Sequence, residues 1–163
     1  EYGTATKIDW CRFFKEEFGV VSPHNAQGIQ IYNGIIEWMK NTQQLNVHFT
    51  PSLAQEIRGS VVSVEKYQGN ARTFLVATFG ISAPDQLKSE EGFLYDIRRL
   101  NVLISRPKER LIVVCAQSLI DHTPSEEEAI WGHQRLQKLH YQFCQKAKKV
   151  RFGGRHLMMS WRI

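Results

Sequence analysis

The sequence predicts an α/β domain built on a mostly parallel sheet. Short, nearly continuous apolar runs have the length and two-sided hydrophobicity of buried parallel strands: Val61-Val62-Ser63-Val64, Thr73 to Phe79, and Arg110 to Cys115. Segments with helical spacing separate them, as crossover connections require. With 163 residues, 42% hydrophobic and 23% charged, the chain can bury a sizeable core and is neither disordered nor fibrous in composition. A single domain is expected over residues 1–163.

Each element follows from local pattern. Trp10, Phe13, Phe14 and Phe18 keep helical spacing, which predicts a helix over about 6–18. Val20-Val21 is a short buried strand. Ser22-Pro23 then reads as a cap residue with Pro at the first helical position. Ile29, Tyr32, Ile36 and Met39 continue at 3.6-residue spacing, so residues 23–41 form a helix with one apolar face. Residues 42–59 are polar and read as a loop with room for a short strand. Gly80 to Gly92 is a second loop, followed by an apolar-patterned helix over about 97–105. Thr123-Pro124-Ser125-Glu126 reads as a capping box that starts a helix running to about Lys149. Its buried stripe would be Leu136, Leu139, Phe143, Ala147 and Val150, with Lys138, Gln142, Gln145 and Lys149 on another face.

Charge is uneven along the chain. All 16 acidic residues lie at or before Glu128, and the segment after it carries eight Lys and Arg with no acid. A one-signed segment suggests an anionic partner, nucleic acid above all; a solvated cationic helix and tail is the plain alternative. No apolar stretch approaches the roughly 18 residues of a membrane span, so no membrane partner is expected. Three scattered cysteines, Cys11, Cys115 and Cys144, make neither a disulfide framework nor a zinc site and fit an intracellular, reducing compartment. The chain does not open with Met, as expected of a piece of a longer polypeptide.

Several chemistries have no motif here. There is no G-x-x-x-x-G-K-[ST] phosphate loop, since Lys88-Ser89 lacks the preceding glycines, and no strand ends in an Asp-Glu pair for magnesium. H-E-x-x-H, C-x-x-C and G-x-S-x-G are absent, and the six histidines show no ligand spacing. No self-contained catalytic centre or metal site can be read.

Three segments instead occur in a telling order: Val20-Val21-Ser22-Pro23-His24-Asn25-Ala26-Gln27, Ser63-Val64-Glu65-Lys66-Tyr67-Gln68-Gly69, and Arg98-Arg99-Leu100-Asn101-Val102-Leu103-Ile104-Ser105-Arg106. Together they resemble motifs IV, V and VI of superfamily 1 DNA/RNA helicases. The branch with the nonsense-mediated-decay helicase and its bacterial-type relatives is the nearest in pattern. The resemblance covers about residues 19–120 and implies the C-terminal, second RecA-like domain, a three-layer α/β fold. A basic C-terminal helix and tail, about 124–163, would follow this core.

The resemblance implies specific roles. Arg106 would be an arginine finger on the γ-phosphate of ATP, stabilising charge that develops on the transferred phosphoryl group. On an uninterrupted helix Arg99 would share its face about 10.5 Å away. Gln68 and Gly69 would sense the γ-phosphate, the glycine allowing close backbone approach. Ser22, Pro23, His24 and Gln27, with Ser63, would touch the backbone of single-stranded nucleic acid, His24 by stacking or by a phosphate contact. ATP and Mg2+ would bind only together with a first RecA-like domain of the same polypeptide, which would bring the phosphate loop and magnesium-binding carboxylates. The fragment alone would not hydrolyse ATP. Plain alternatives are a surface salt bridge for Arg106, a strand-to-helix turn at Gly69 and an exposed helix-start residue for His24.

The sequence also departs from the pattern. Ala71 stands where relatives have Glu, with Arg72 next; Glu65 replaces Asp, while the aromatic Tyr67 is kept. Leu103 and Ser105 replace Ala and Thr. Pro107 follows the finger and disfavours helical conformation at Arg106. These departures keep open a degenerate domain that binds nucleic acid or protein without ATPase activity, and an unrelated α/β domain with a basic C-terminal helix.

Overall fold

The computed structural model describes residues 8–67, 71–152 and 154–161. The chain divides into two compact units, Glu1–Gly80 with Asn101–Cys115, and Ile81–Leu100 with Ala116–Ile163.

In the first unit, the Asp9 carboxylate accepts from the Arg12 N–H at 3.1 Å and caps α1 (Trp10–Arg12). This helix runs into a π-helical turn, Phe13–Glu17. The helix predicted over 6–18 is thus helical from Trp10 to Glu17, and Phe18 already belongs to β1 (Phe18–Ser22). The next helix, α2 (Asn25–Asn41), starts later than predicted. Its N-cap is His24, so Pro23 precedes the cap and is not its first helical residue. The cause is Ser22, which is held in β1 by pairing with Ser63. Of the predicted apolar face, Met39 is buried whereas Ile29 is 46% exposed.

Residues 42–59 are largely helical, not a loop. A 3-10 turn, Asn46–His48, leads to α3 (Pro51–Ser60). The Thr50 hydroxyl accepts from the Leu53 N–H at 3.1 Å, and Pro51 occupies the first turn. Leu53 and Ile57, one turn apart, are buried against Phe14 and Met39. Each such side chain contributes about 1.5–3 kcal/mol of burial. Trp10, Phe13, Phe18 and Tyr32 pack around this cluster.

The sheet adds β2 (Val61–Ser63), β3 (Arg72–Thr78) and β4 (Pro107–Val114), in the order β2-β1-β3-β4, with every pairing parallel. This is the predicted α/β fold, a parallel sheet flanked by helices. From β1 the chain moves to one side to make β2, then returns past β1 to make β3. The order therefore reverses between β1 and β3, the place where parallel sheets open a crevice beyond the carboxyl ends of their strands.

In the second unit, the loop predicted over 80–92 is mostly helix: α4 (Pro84–Ser89) and α5 (Glu91–Leu94) bury Leu87 and Leu94. The predicted helix over 97–105 is α6 (Ile97–Ser105), whose first turn lies in this unit. After α7 (Gln117–Asp121) comes α8 (Glu127–Gln137). The capping box expected at Thr123 does not form. The N–H groups of Ser125 and Glu126 go to the buried carboxylate of Glu91, at 3.0–3.1 Å. The Ser125 hydroxyl also donates to Glu91, and His122 Nε2 lies 3.0 Å from it. Burial pushes the Glu91 carboxyl up, but these hydrogen bonds outweigh it and bring it down to about 2. Nearby, the Tyr95 hydroxyl donates to Leu119 O at 2.8 Å, and His133 donates to Ile120 O at 2.9 Å.

The C-terminal helix ends early. A π-helical turn, Lys138–Phe143, leads to an antiparallel hairpin, β5 (Lys146–Phe152) and β6 (Arg155–Trp161). Gly154 turns it with φ 77°. Of the predicted stripe, Leu136 alone is fully buried, and Phe143 is 50% exposed. Among the described residues no helix is long and apolar enough to cross a membrane.

Candidate functional site

The parallel sheet of the first unit separates the predicted site residues between its two edges. At the carboxyl edge β1, β2 and β3 end in Ser22, Ser63 and Thr78. Ser22 pairs with Ser63 and Val21 with Ala77, so the three hydroxyl residues stand side by side on one face of the sheet. Ser22 is buried, and its Oγ lies 2.7 Å from His24 O and 3.1 Å from Gln27 Oε1, one hydrogen between two acceptors. The Gln27 amide donates to the Thr78 hydroxyl. Gln27 thereby spans β1 and β3 at the reversal of strand order. Gly80 makes room for it, because a Cβ there would stand 2.7 Å from Gln27 Nε2. Ser22, His24 and Gln27 are therefore brought together, with Ser63 beside them. Thr78 and Gly80 were missed by the sequence reading, because strand polarity and register had to be known before they joined the set.

At the amino edge, Arg106 sits in the bend between α6 and β4. Its carbonyl accepts from the Arg72 N–H at 3.3 Å, which ties it to the start of β3. Its Nε is buried without a hydrogen-bond partner among the described residues, as are Arg72 Nε and the Tyr67 hydroxyl. Tyr67 lies against β1 at Gly19, near Arg72. Burial pushes its phenol up, and the Arg72 charge opposes that rise. Unspent donors of this kind suit an anion, since a buried donor without an acceptor is costly. Gln68 and Gly69 lie outside the described residues.

The helical spacing assumed for Arg99 and Arg106 does not hold. The helix stops at Ser105, and Pro107 starts β4, so Arg106 has left it, as the restriction before proline requires. Arg99, in the second unit, places its guanidinium 3.7 Å from the centroid of the Phe93 ring. Among the described residues no three His, Cys, Asp or Glu gather to hold a metal ion.

Residues 4–118 match the family described as "AAA domain". The chain is 29% identical over 118 residues to the DNA replication ATP-dependent helicase/nuclease DNA2 of Gallus gallus, covering 72% of this chain and 10% of that protein. It is 34% identical over 103 residues to the Regulator of nonsense transcripts 1 homolog of Neurospora crassa, covering 63% and 9%. Against the ATP-dependent helicase upf1 of Schizosaccharomyces pombe it is 26% identical over 118 residues, covering 72% and 11%. The chain thus spans about a tenth of the length of these curated relatives. With the family match reaching over the whole parallel sheet, this chain belongs to the AAA domain family, as a helicase-related member.

Proposed function

We propose that the chain is the C-terminal, second RecA-like domain of an ATP-dependent superfamily 1 helicase. The observation that carries this is the sorting of candidate residues onto opposite edges of one sheet. The hydroxyl rim takes the backbone of single-stranded DNA or RNA at the carboxyl edge through Ser63 and Thr78, with His24 and Gln27, while the buried Ser22 hydroxyl serves the strand by holding His24 and Gln27 in place. Arg106 serves a nucleotide at the amino edge; Gln68 and Gly69, which lie outside the described residues, are assigned to the same nucleotide by their motif alone.

In this reading ATP lies between the amino edge and the first RecA-like domain, which holds the phosphate loop and Mg2+. Water attacks the γ-phosphorus, the bond to the bridging β–γ oxygen breaks, and ADP and phosphate leave. The Arg106 guanidinium stabilises charge on the transferred group. Its unpartnered Nε supports this role. Arg99, held on Phe93, is a further nucleotide contact by its place in the third motif. The test is Arg106→Ala in the full-length polypeptide. Arginine fingers are worth about 10³–10⁵ in rate, so nucleic-acid-stimulated ATPase activity should fall by at least about a thousandfold while strand binding persists. Unchanged hydrolysis would remove the finger assignment. A full-length protein that binds nucleic acid but never hydrolyses ATP would favour the binding-module reading that Ala71 and Pro107 suggest.

A further inference from the structure

The hairpin β5–β6 is absorbed by none of the roles above. Its strands pair with each other residue for residue, and cross-strand partners share a face. One face carries the pairs Lys146 with Trp161, Lys148 with Met159, and Val150 with Leu157. At the open end of that face Lys146 and Lys148 stand on β5 across from Trp161 and Met159 on β6; towards the turn Val150 faces Leu157, and the pair Phe152 with Arg155 reverses the order. Leu157 and Met159 are 47% and 50% exposed, an apolar row that an isolated two-stranded ribbon cannot cover. No acidic residue occurs after Glu128 to neutralise the lysines.

We infer that this face is a track for single-stranded nucleic acid, with phosphates along the Lys146–Lys148 row and bases on Trp161, Met159 and Leu157. Charge decides the occupant. A neutral apolar partner would leave the lysines uncompensated, whereas a polyanion with flat apolar bases matches both rows at once. Spacing agrees: same-face side chains recur about every 6.8 Å along a strand, close to twice the roughly 3.4 Å rise of a stacked nucleotide. Base stacking on an aromatic platform tolerates any sequence. The opposite face, with Lys149 and Arg151, offers one large apolar side chain in place of a row: Met158, 54% exposed, stands across from Lys149, and Ser160 across from Ala147. This inference does not depend on the motor reading, because the hairpin lies outside the parallel sheet.

The test uses the 163-residue chain and fluorescein-labelled oligothymidylate or oligouridylate, with affinity followed by anisotropy across a salt series. Each phosphate contact on a single strand contributes about 0.7 to the slope of log K against log salt. Lys146→Gln with Lys148→Gln should lower that slope by about 1.4, while Lys149→Gln with Arg151→Gln should leave it nearly unchanged. Trp161→Ala should weaken binding roughly tenfold and Trp161→Phe much less, with the hairpin checked by circular dichroism. Equal losses from both lysine faces would overturn the track, as would a Trp161→Ala chain that binds like the parent. Light scattering covers the other occupants. If Lys146→Gln with Lys148→Gln alters the mass of the particle and not its affinity for the strand, the face meets another protein chain and the inference fails. Ser22→Ala with Gln27→Ala, run in parallel, reports on the carboxyl edge, so failure at the hairpin and failure of the proposed function are separately visible.

Discussion

Replacing Glu91 by Gln should cost the second unit about 3 kcal/mol. The side chain keeps its size, so cavity terms are small. What changes is the fit to its donors: two backbone N–H groups, the Ser125 hydroxyl and the His122 ring all point at this carboxylate. A glutamine offers one acceptor oxygen and sets its own N–H groups against donors. The carboxyl is held at about 2 against an ordinary 4.5, a preference for the anion worth roughly 3 kcal/mol. Independent experience with broken buried charge networks gives a similar 3–5 kcal/mol. For a chain of this size the loss corresponds to a Tm lowered by roughly 6–12 °C. The sign with pH follows from the depressed value. The stabilisation is complete above about pH 4.5 and drains away as pH falls towards 2. Urea unfolding followed by tryptophan fluorescence at pH 7 and pH 3 reads both terms, since Trp131 lies in α8 beside the anchored turn. A Glu91→Gln chain within 1 kcal/mol of the parent at pH 7, or one with the same deficit at both pH values, would refute the anchoring role.

Other outcomes follow from the same contacts. Gly132→Ala should unfold the second unit or lower its Tm more than Glu91→Gln does, because the new Cβ would collide with the Tyr95 backbone carbonyl, which cannot swing away as a side chain could; thermal denaturation checks it. Ile57→Ala, at a fully buried position under the sheet of the first unit, should cost about 2–5 kcal/mol in chemical denaturation. Gln27→Ala should weaken strand binding at the carboxyl edge with a stability loss of only about 1 kcal/mol, as one part-buried hydrogen-bonded link is removed. Burial pushes the Cys115 thiol up, so its alkylation by iodoacetamide at pH 8 should lag behind that of a small free thiol.

The parallel sheet was legible because its strands announce themselves as apolar runs, although only β1 is buried along most of its length and β4 leaves Ile112 and Val114 about half exposed. Local signals failed where a distant residue competed for the same backbone groups. Thr123-Pro124-Ser125-Glu126 has a capping-box pattern, yet Glu91, more than 30 residues earlier, takes the N–H groups of Ser125 and Glu126. Ser22-Pro23 has a cap pattern too, and strand pairing to Ser63 holds Ser22 in β1. The helix α3 was readable from Thr50-Pro51 with Leu53 and Ile57 a turn apart, and its polar surroundings hid it. The hairpin failed for another reason. Lys146-Ala147-Lys148-Lys149-Val150 fits a cationic helix as well as a strand, and only its pairing with residues 155–161 decides between them. Candidate site residues were legible as motifs, but their division between two sheet edges required strand direction, which no motif encodes.

On the proposed function, that division bears on how a motor domain would couple its two ligands. Strand β3 begins at Arg72, whose N–H holds the Arg106 carbonyl, and ends at Thr78, whose hydroxyl accepts from Gln27. Six residue steps of parallel strand separate these ends, about 20 Å. Within that span the chain is hydrogen-bonded on both sides, by β1 and by β4, so it moves as one body. In the proposed reading, a nucleotide that drew Arg106 towards itself would carry Ser22, Gln27 and Thr78 along, with no internal rearrangement needed. Pro107 fits this picture: by ending the helix before Arg106, it leaves the arginine backbone fastened to the sheet through Arg72, not to α6. The departure from the family pattern at residue 107 thus fixes the arginine to the same strand that bears the hydroxyl rim. A double-mutant cycle between Arg106→Ala and Gln27→Ala, read in the ATP dependence of strand affinity in the full-length protein, would show a coupling term if this strand transmits the movement, and strict additivity if it does not.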